Sequence, residues 1–303
     1  MKNNLSFLKM SLLKFILLFF IFINDLSGLE NKTIDVCVLA DEEFQSFKNW
    51  VRLIHKRFKK VNHFYIQNFG IQFNIKEIKT IQSNNTILSI NEMFVDMKAN
   101  TLCSHSEIVV IYIGQIVKGS GISSTLSNKL MVVENNLSIS QDSSLILAHE
   151  LAHLFGAWHN KKKGYLMNDS GFAGFDLDPG TKAIIKFMKN RDFKKHGADL
   201  SENVIKKINI LFERYKTIDE INPIARVYVD RAVYLTKNGK IKNAIQILLK
   251  AKKLAGRWSF PRILLAENYF ANKEYDKAYT EYNLARFFGA KKNEKLEKYF
   301  SKY

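Results

Sequence analysis

The stretch that decides the reading is His149-Glu150-Leu151-Ala152-His153-Leu154-Phe155-Gly156-Ala157-Trp158-His159, which holds three of the chain's seven histidines. His149 and His153 stand four apart, so on a helix both rings leave one face about 6 Å apart along the axis. Two imidazoles so spaced can bind one Zn2+ at about 2.0–2.1 Å. A third ligand reaches back only if the helix stops and the chain turns. Gly156 can take the positive φ that such a turn requires. His159 then supplies the third nitrogen. Three protein ligands leave a fourth position for water, the pattern of a catalytic rather than a structural zinc site. Glu150, beside the first ligand, is placed to serve as general base and then general acid. A match at five specified positions is expected by chance on the order of 10⁻⁴ times in a chain of this length.

The flanking sequence reads as a mixed α/β layer. Asp142 is a natural N-cap for an apolar helix from Ser144 to Phe155. Upstream, Ile34 to Leu39 and Ile71 to Ile81 read as strands. Ile108 to Ile113 is a continuous apolar run and predicts a strand buried on both faces. Leu130 to Val133 predicts a further short strand, and Gly119 to Ser124 a Gly/Ser loop. Glu43 to Phe69 has helical periodicity, with Phe44, Phe47, Val51, Ile54, Phe58 and Val61 on one face, and Gly70 stops it. Ile90 to Lys98 predicts a short helix. The order of elements gives strands and helices packed as one layered α/β (α+β) domain.

The motif H-E-x-x-H-x-x-G-x-x-H resembles that of the metzincin metallopeptidases, which add a Met-turn after the third histidine. Met167, in Gly164-Tyr165-Leu166-Met167, lies eight residues past His159, an interval similar to that of the matrixin-like members. The resemblance covers roughly residues 33–215. It implies a zinc endopeptidase with protein or peptide substrates, Met167 as the floor under the metal, and a final helix beginning near Asp199-Leu200-Ser201-Glu202. It also implies that the strand before the zinc helix, Leu130 to Glu134, is an edge that pairs with the substrate backbone, with the wall of the adjoining pocket at Asn168 to Phe175. Asn160 follows the third histidine, where matrixins usually have Ser, adamalysins Asp and astacins Glu, so the subfamily stays open. Asp169 stands two residues past Met167, where a fifth tyrosine ligand would be. An extra helix, Thr181 to Met188, precedes the final one.

The N-terminus reads as a targeting segment. Lys2, Lys9 and Lys14 precede an apolar run from Phe15 to Ile23, and small residues lead to a cleavage site after Gly28. Nine apolar residues span only about 14 Å as a helix, short of a bilayer core. The expectation is a signal peptide over 1–28 and a secreted or otherwise extracytoplasmic mature chain without a membrane span. Too few residues separate Gly28 from the first strand for a prodomain, and no Pro-Arg-Cys-Gly-type latency segment is present. Export would permit a Cys37–Cys103 disulfide; two buried free thiols are the alternative.

The catalytic-type domain is expected over 29–218 and an all-α domain over 222–303, with Asn222-Pro223 at the boundary. In the latter, Ala232, Ala244 and Ala251 recur 34 residues later as Ala266, Ala278 and Ala285, and Leu235 and Leu248 as Tyr269 and Tyr282. That period is similar to tetratricopeptide repeats, whose small residues let paired helices approach closely. Two such units fall short of the usual minimum of about three, so they should pack on a preceding helix or a capping helix near Asn293 to Tyr303. A protein partner is expected on these repeats.

Composition bounds the alternatives. A chain of 303 residues, 47% hydrophobic and 13% aromatic, is neither disordered nor fibrous, and two cysteines exclude a disulfide-rich scaffold. The net charge of +17 is concentrated C-terminally: residues 181–303 carry 28 Lys and Arg against 13 Asp and Glu. No nucleic-acid-binding motif accompanies it. Two rival readings fit the same sequence: a zinc-binding protein that acts through its repeats without turnover, and a metal-dependent amidase acting on cell-wall peptides.

Overall fold

The computed structural model describes residues 31–97, 102–135, 142–168, 171 and 174–301. The expected signal peptide lies outside the described residues, as do Lys98 and most of the segment from 169 to 173. Five strands form one sheet: β1 (Lys32–Ala40), β2 (Ile71–Thr80), β3 (Ile108–Ile113), β4 (Gly121–Ser123) and β5 (Lys129–Val133), in the order β2-β1-β3-β5-β4. All pairings are parallel except β4 with β5. The mixed α/β sheet is the layer the sequence predicts.

Successive strand residues point to opposite faces, and here both faces are covered. On one face Ile34, Val36, Val38, Val110, Tyr112 and Val132 pack under α2 (Trp50–Phe69) and α4 (Ser143–Leu154). On the other, Cys37, Leu39, Val109, Ile111 and Met131 pack under α3 (Ile90–Asp96) through Ile90, Met93 and Phe94. Every residue of β3 is buried, as its uninterrupted apolar run requires. Cys37 of β1 and Cys103 form a disulfide on this second face, which settles the alternative of two thiols.

Two expectations are corrected. The helix expected from Glu43 to Phe69 is broken: α1 (Glu42–Gln45) ends in a turn, and α2 starts after Asn49, whose φ of 63° is left-handed. Asn tolerates that conformation better than most residues, and periodicity across the break is not interrupted, so the pattern hid it. Asp41 N-caps α1, accepting from the Phe44 amide at 2.8 Å. The second correction concerns the substrate edge. Leu130 to Glu134 is not an edge, because β5 is paired on both sides. The edge on that side of the sheet is β4, which falls within the expected Gly/Ser loop.

The remainder is helical: α5 (Pro179–Met188), α6 (Glu202–Tyr215), α7 (Pro223–Lys237), α8 (Ile241–Leu254), α9 (Ser259–Ala271), α10 (Tyr275–Phe287) and α11 (Glu294–Phe300). A 3-10 turn, Gly197–Asp199, precedes α6, so that helix begins at Glu202. α7 packs on α8, α8 on α9, and α9 on α10. The six alanines that repeat with the 34-residue period are all fully buried. Leu296 and Phe300 of α11 close the end of this second core. α7 belongs to both cores. Ile224 and Val227 enter the core of the sheet domain, whereas Val229, Ala232 and Leu235 enter the helical one. No described helix is long and apolar enough to cross a membrane.

Candidate metal centre

α4 carries the first two histidines. Its start is fixed by Asp142, which accepts from the Ser144 amide at 3.0 Å, and by α2: the Tyr65 hydroxyl donates to the Ala148 carbonyl at 2.9 Å in the buried interior. Its end is fixed by Gly156, whose φ is 91°. The Gly156 and Leu126 amides both donate to the His153 carbonyl, and the Arg191 guanidinium takes the Leu154 carbonyl. The last carbonyls of the helix are thereby satisfied as a left-handed cap requires, and the chain turns back to present His159.

The three Nε2 atoms converge. They lie 3.2 Å apart for His149 and His153, 3.1 Å for His149 and His159, and 3.0 Å for His153 and His159. A tetrahedral ion at Zn–N distances of about 2.0–2.1 Å would space its ligands about 3.3 Å apart. The hydrogen-bonding state also fits. His149 Nδ1 donates to the Leu166 carbonyl at 2.7 Å and His153 Nδ1 to the Ala157 carbonyl at 2.8 Å. Each ring's proton is therefore on Nδ1, so both Nε2 atoms are lone-pair acceptors facing one another. Such a pair is repulsive unless a cation lies between them. Burial holds the pKa of both rings below the usual histidine value, and neighbouring imidazoles push His153 down further. Neutral imidazole is the form that binds metal.

Glu150 is buried beside the ligands and receives the Ser123 hydroxyl on Oε2 at 2.6 Å. Burial raises its pKa to about 7, and the Ser123 bond opposes the rise. Gly121 explains how the edge strand comes so close. A Cβ there would lie 2.8 Å from Glu150 Oε1 and 2.6 Å from Ile146 Cγ2. The sequence does not single out Gly121 or Ser123, since two residues of a Gly/Ser loop carry no signal that they will form a strand over a buried carboxylate.

Met167 is fully buried in the core that contains α4. Its carbonyl accepts the Asn160 amide at 2.8 Å, and the Asn160 side chain donates to Asp178, the N-cap of α5, at 2.9 Å. Asn160, which departs from the subfamily patterns, thus ties the segment after His159 to both Met167 and α5. The histidines and Glu150 open on a cleft of about 710 Å³. Ser120 to Thr125 form one wall, with Asn168 and Gly171 beside the metal ligands. The far side is supplied by Arg226, Val229 and Asp230 of α7, and by Trp258 and Phe260 at the start of α9.

Residues 30–173 match the family model of the metallo-peptidases of family M12. That match, with the triad, supports a zinc metallopeptidase. No curated protein matches the chain. Among solved structures, a chain of a chaperone–substrate complex is 12% identical with a TM-score of 0.41, and the alignment covers 55% of this chain and 35% of that one. The chain therefore spans about a third of that relative's length. An archaemetzincin from Methanopyrus kandleri is 13% identical (TM-score 0.39), with 55% of this chain and 98% of that one covered. Metalloproteinase-II from Bacteroides fragilis is 14% identical (TM-score 0.35), with 46% of each chain covered.

Proposed function

We propose that the chain is an exported zinc-dependent endopeptidase of metzincin type. The observation that carries this reading is the convergence of three imidazole nitrogens at 3.0–3.2 Å beside a buried carboxylate, in a cleft walled by a free sheet edge.

His149, His153 and His159 would hold the ion, and Leu166 and Ala157 would orient the first two rings through their carbonyls. Zinc held there would polarise a carbonyl and acidify water. Glu150 takes the proton of the attacking water at its carboxylate and delivers it to the amine that leaves. Burial favours the protonated form and the Ser123 bond the ionised one, so the group can both accept a proton and release it. Ser123 holds Oε2, leaving Oε1 as the oxygen for the proton. The edge of β4 offers backbone groups to an extended peptide, which gives affinity with little sequence demand.

The Cys37–Cys103 disulfide supports the extracytoplasmic assignment, since such bonds persist in oxidising compartments. The helices α7 to α10 we read as a pair of tetratricopeptide-like repeats, and Met167 as the Met-turn residue. The test is proteolysis of a denatured protein mixture. Activity lost to a chelator should return with about one equivalent of zinc. A chain that takes up zinc and cleaves no protein would contradict the reading and move the function to the helical region.

A further inference from the structure

The helical region does not merely follow the metal domain; it walls the cleft. α7 is held between the two cores, Ile224 and Val227 in one and Ala232 and Leu235 in the other. A helix fixed on two sides cannot swing, so whatever it presents to the cleft is pre-positioned. It presents Arg226 and Asp230, one turn apart. Asp230 lines the cleft together with Ser124, just past β4, so this wall stands beside the substrate edge. The Arg226 guanidinium lies 5.5 Å over the Trp258 ring. Trp258 in turn meets Phe260 with ring centroids 5.9 Å apart. Phe260 remains 45% exposed.

Two aromatic rings line this polar cleft, Trp258 backed by a cation and Phe260 open to solvent among the described residues, and together they form a shelf. Tyr, Trp and Arg at such places are the residues that most often carry binding energy, and aromatic partners add offset or edge-on contacts to area burial. We propose that Trp258 and Phe260, backed by Arg226, form a subsite for a large apolar or aromatic side chain of the peptide whose backbone lies along β4. This rests on the peptidase reading for the identity of the occupant. The continuity of the shelf with the cleft that holds Glu150 and the three histidines argues for substrate rather than a separate partner.

The test separates binding from turnover. The zinc-loaded full chain with Glu150→Gln is titrated with a set of peptides that differ at one position, carrying Phe, Ala or Asp, and binding is followed by calorimetry. The Phe peptide should bind on the order of tenfold more tightly than its Ala partner. That preference should shrink to within about twofold when Trp258→Ala or Phe260→Ala is added, with zinc content unchanged. An undiminished Phe preference in both variants, a stronger preference for Asp, or no binding of any peptide would overturn the subsite. Cleavage assays on chains that keep Glu150 hold the two claims apart. Turnover with an unaltered preference in Trp258→Ala sinks the subsite alone. Shelf-dependent binding without any turnover sinks the peptidase reading alone.

Discussion

The Ser123 hydroxyl and the Glu150 carboxylate meet at 2.6 Å across the gap between the edge strand and the metal helix. The bond favours the ionised form of a group whose burial favours the neutral one. The base is thus tuned by a residue on the strand that would bind substrate. Ser123→Ala should raise the pKa of Glu150 further and shift the acidic limb of the rate profile to higher pH. At neutral pH kcat/KM should fall about tenfold, because less of the base is ionised. A pH–rate profile of both forms, with zinc content measured in each, checks this.

Gly121→Ala probes the same contact sterically. The new methyl would sit closer than van der Waals distance to both Ile146 and the Glu150 carboxylate. The carboxylate is the more mobile of the two, so it should yield. The expected result is a loss of roughly 10- to 100-fold in kcat with metal binding kept, since misplacement of about 1 Å at a reacting group costs on that order. Steady-state kinetics with metal analysis distinguishes this from a folding defect.

Arg191 is a buried cation that donates to four carbonyls: Leu126, Ser127, Leu154 and Lys195. It joins the end of the metal helix to the segment that leads into β5. Arg191→Leu leaves those carbonyls without partners and should destabilise the fold by about 3 kcal/mol. Zinc affinity should fall as well, because the turn at Gly156 loses support. Denaturant melts of the zinc-free form give the first quantity, and competition with a chelator gives the second.

Asp41 makes the stability depend on pH. Burial raises its pKa from 3.8 to about 6, against the pull of amide bonds from Gly114, Phe44 and Gln115. The folded state then holds a proton that the unfolded state releases. Its contribution is fully present below about pH 3.8 and is lost as pH rises through about 6. Asp41→Asn keeps an acceptor oxygen for Phe44 and Gly114 but cannot ionise. Relative to the variant, the wild type should lose about 2 kcal/mol between pH 4 and pH 6.5. Parallel melts across that range read the difference directly.

What could be read from the sequence followed how local its physics is. The spacing of His149, His153, Gly156 and His159 is a property of one helix and the turn that ends it, so a short window contains it. The buried alanines of α7 to α10 announced themselves by period. The pairing of Ser123 with Glu150 depended on a strand of only three residues, Gly121–Ser123, whose sequence has no alternation to reveal it. Its place at the edge depends on β5 lying inside the sheet, a matter of topology rather than pattern. Likewise, nothing local in Arg226, Asp230, Trp258 or Phe260 says that they face the metal cleft. That follows from α7 sharing two cores. The break at Asn49 was hidden because the apolar face continues on both sides of it.

The most direct test of the account is one paired measurement on the wild type and Glu150→Ala: zinc bound per chain, and cleavage of a denatured protein. The account predicts about one zinc in each and cleavage at least about 10²-fold slower in the variant than in the wild type. Equal cleavage by the two forms, or zinc retained after His153→Ala as tightly as before, would contradict it.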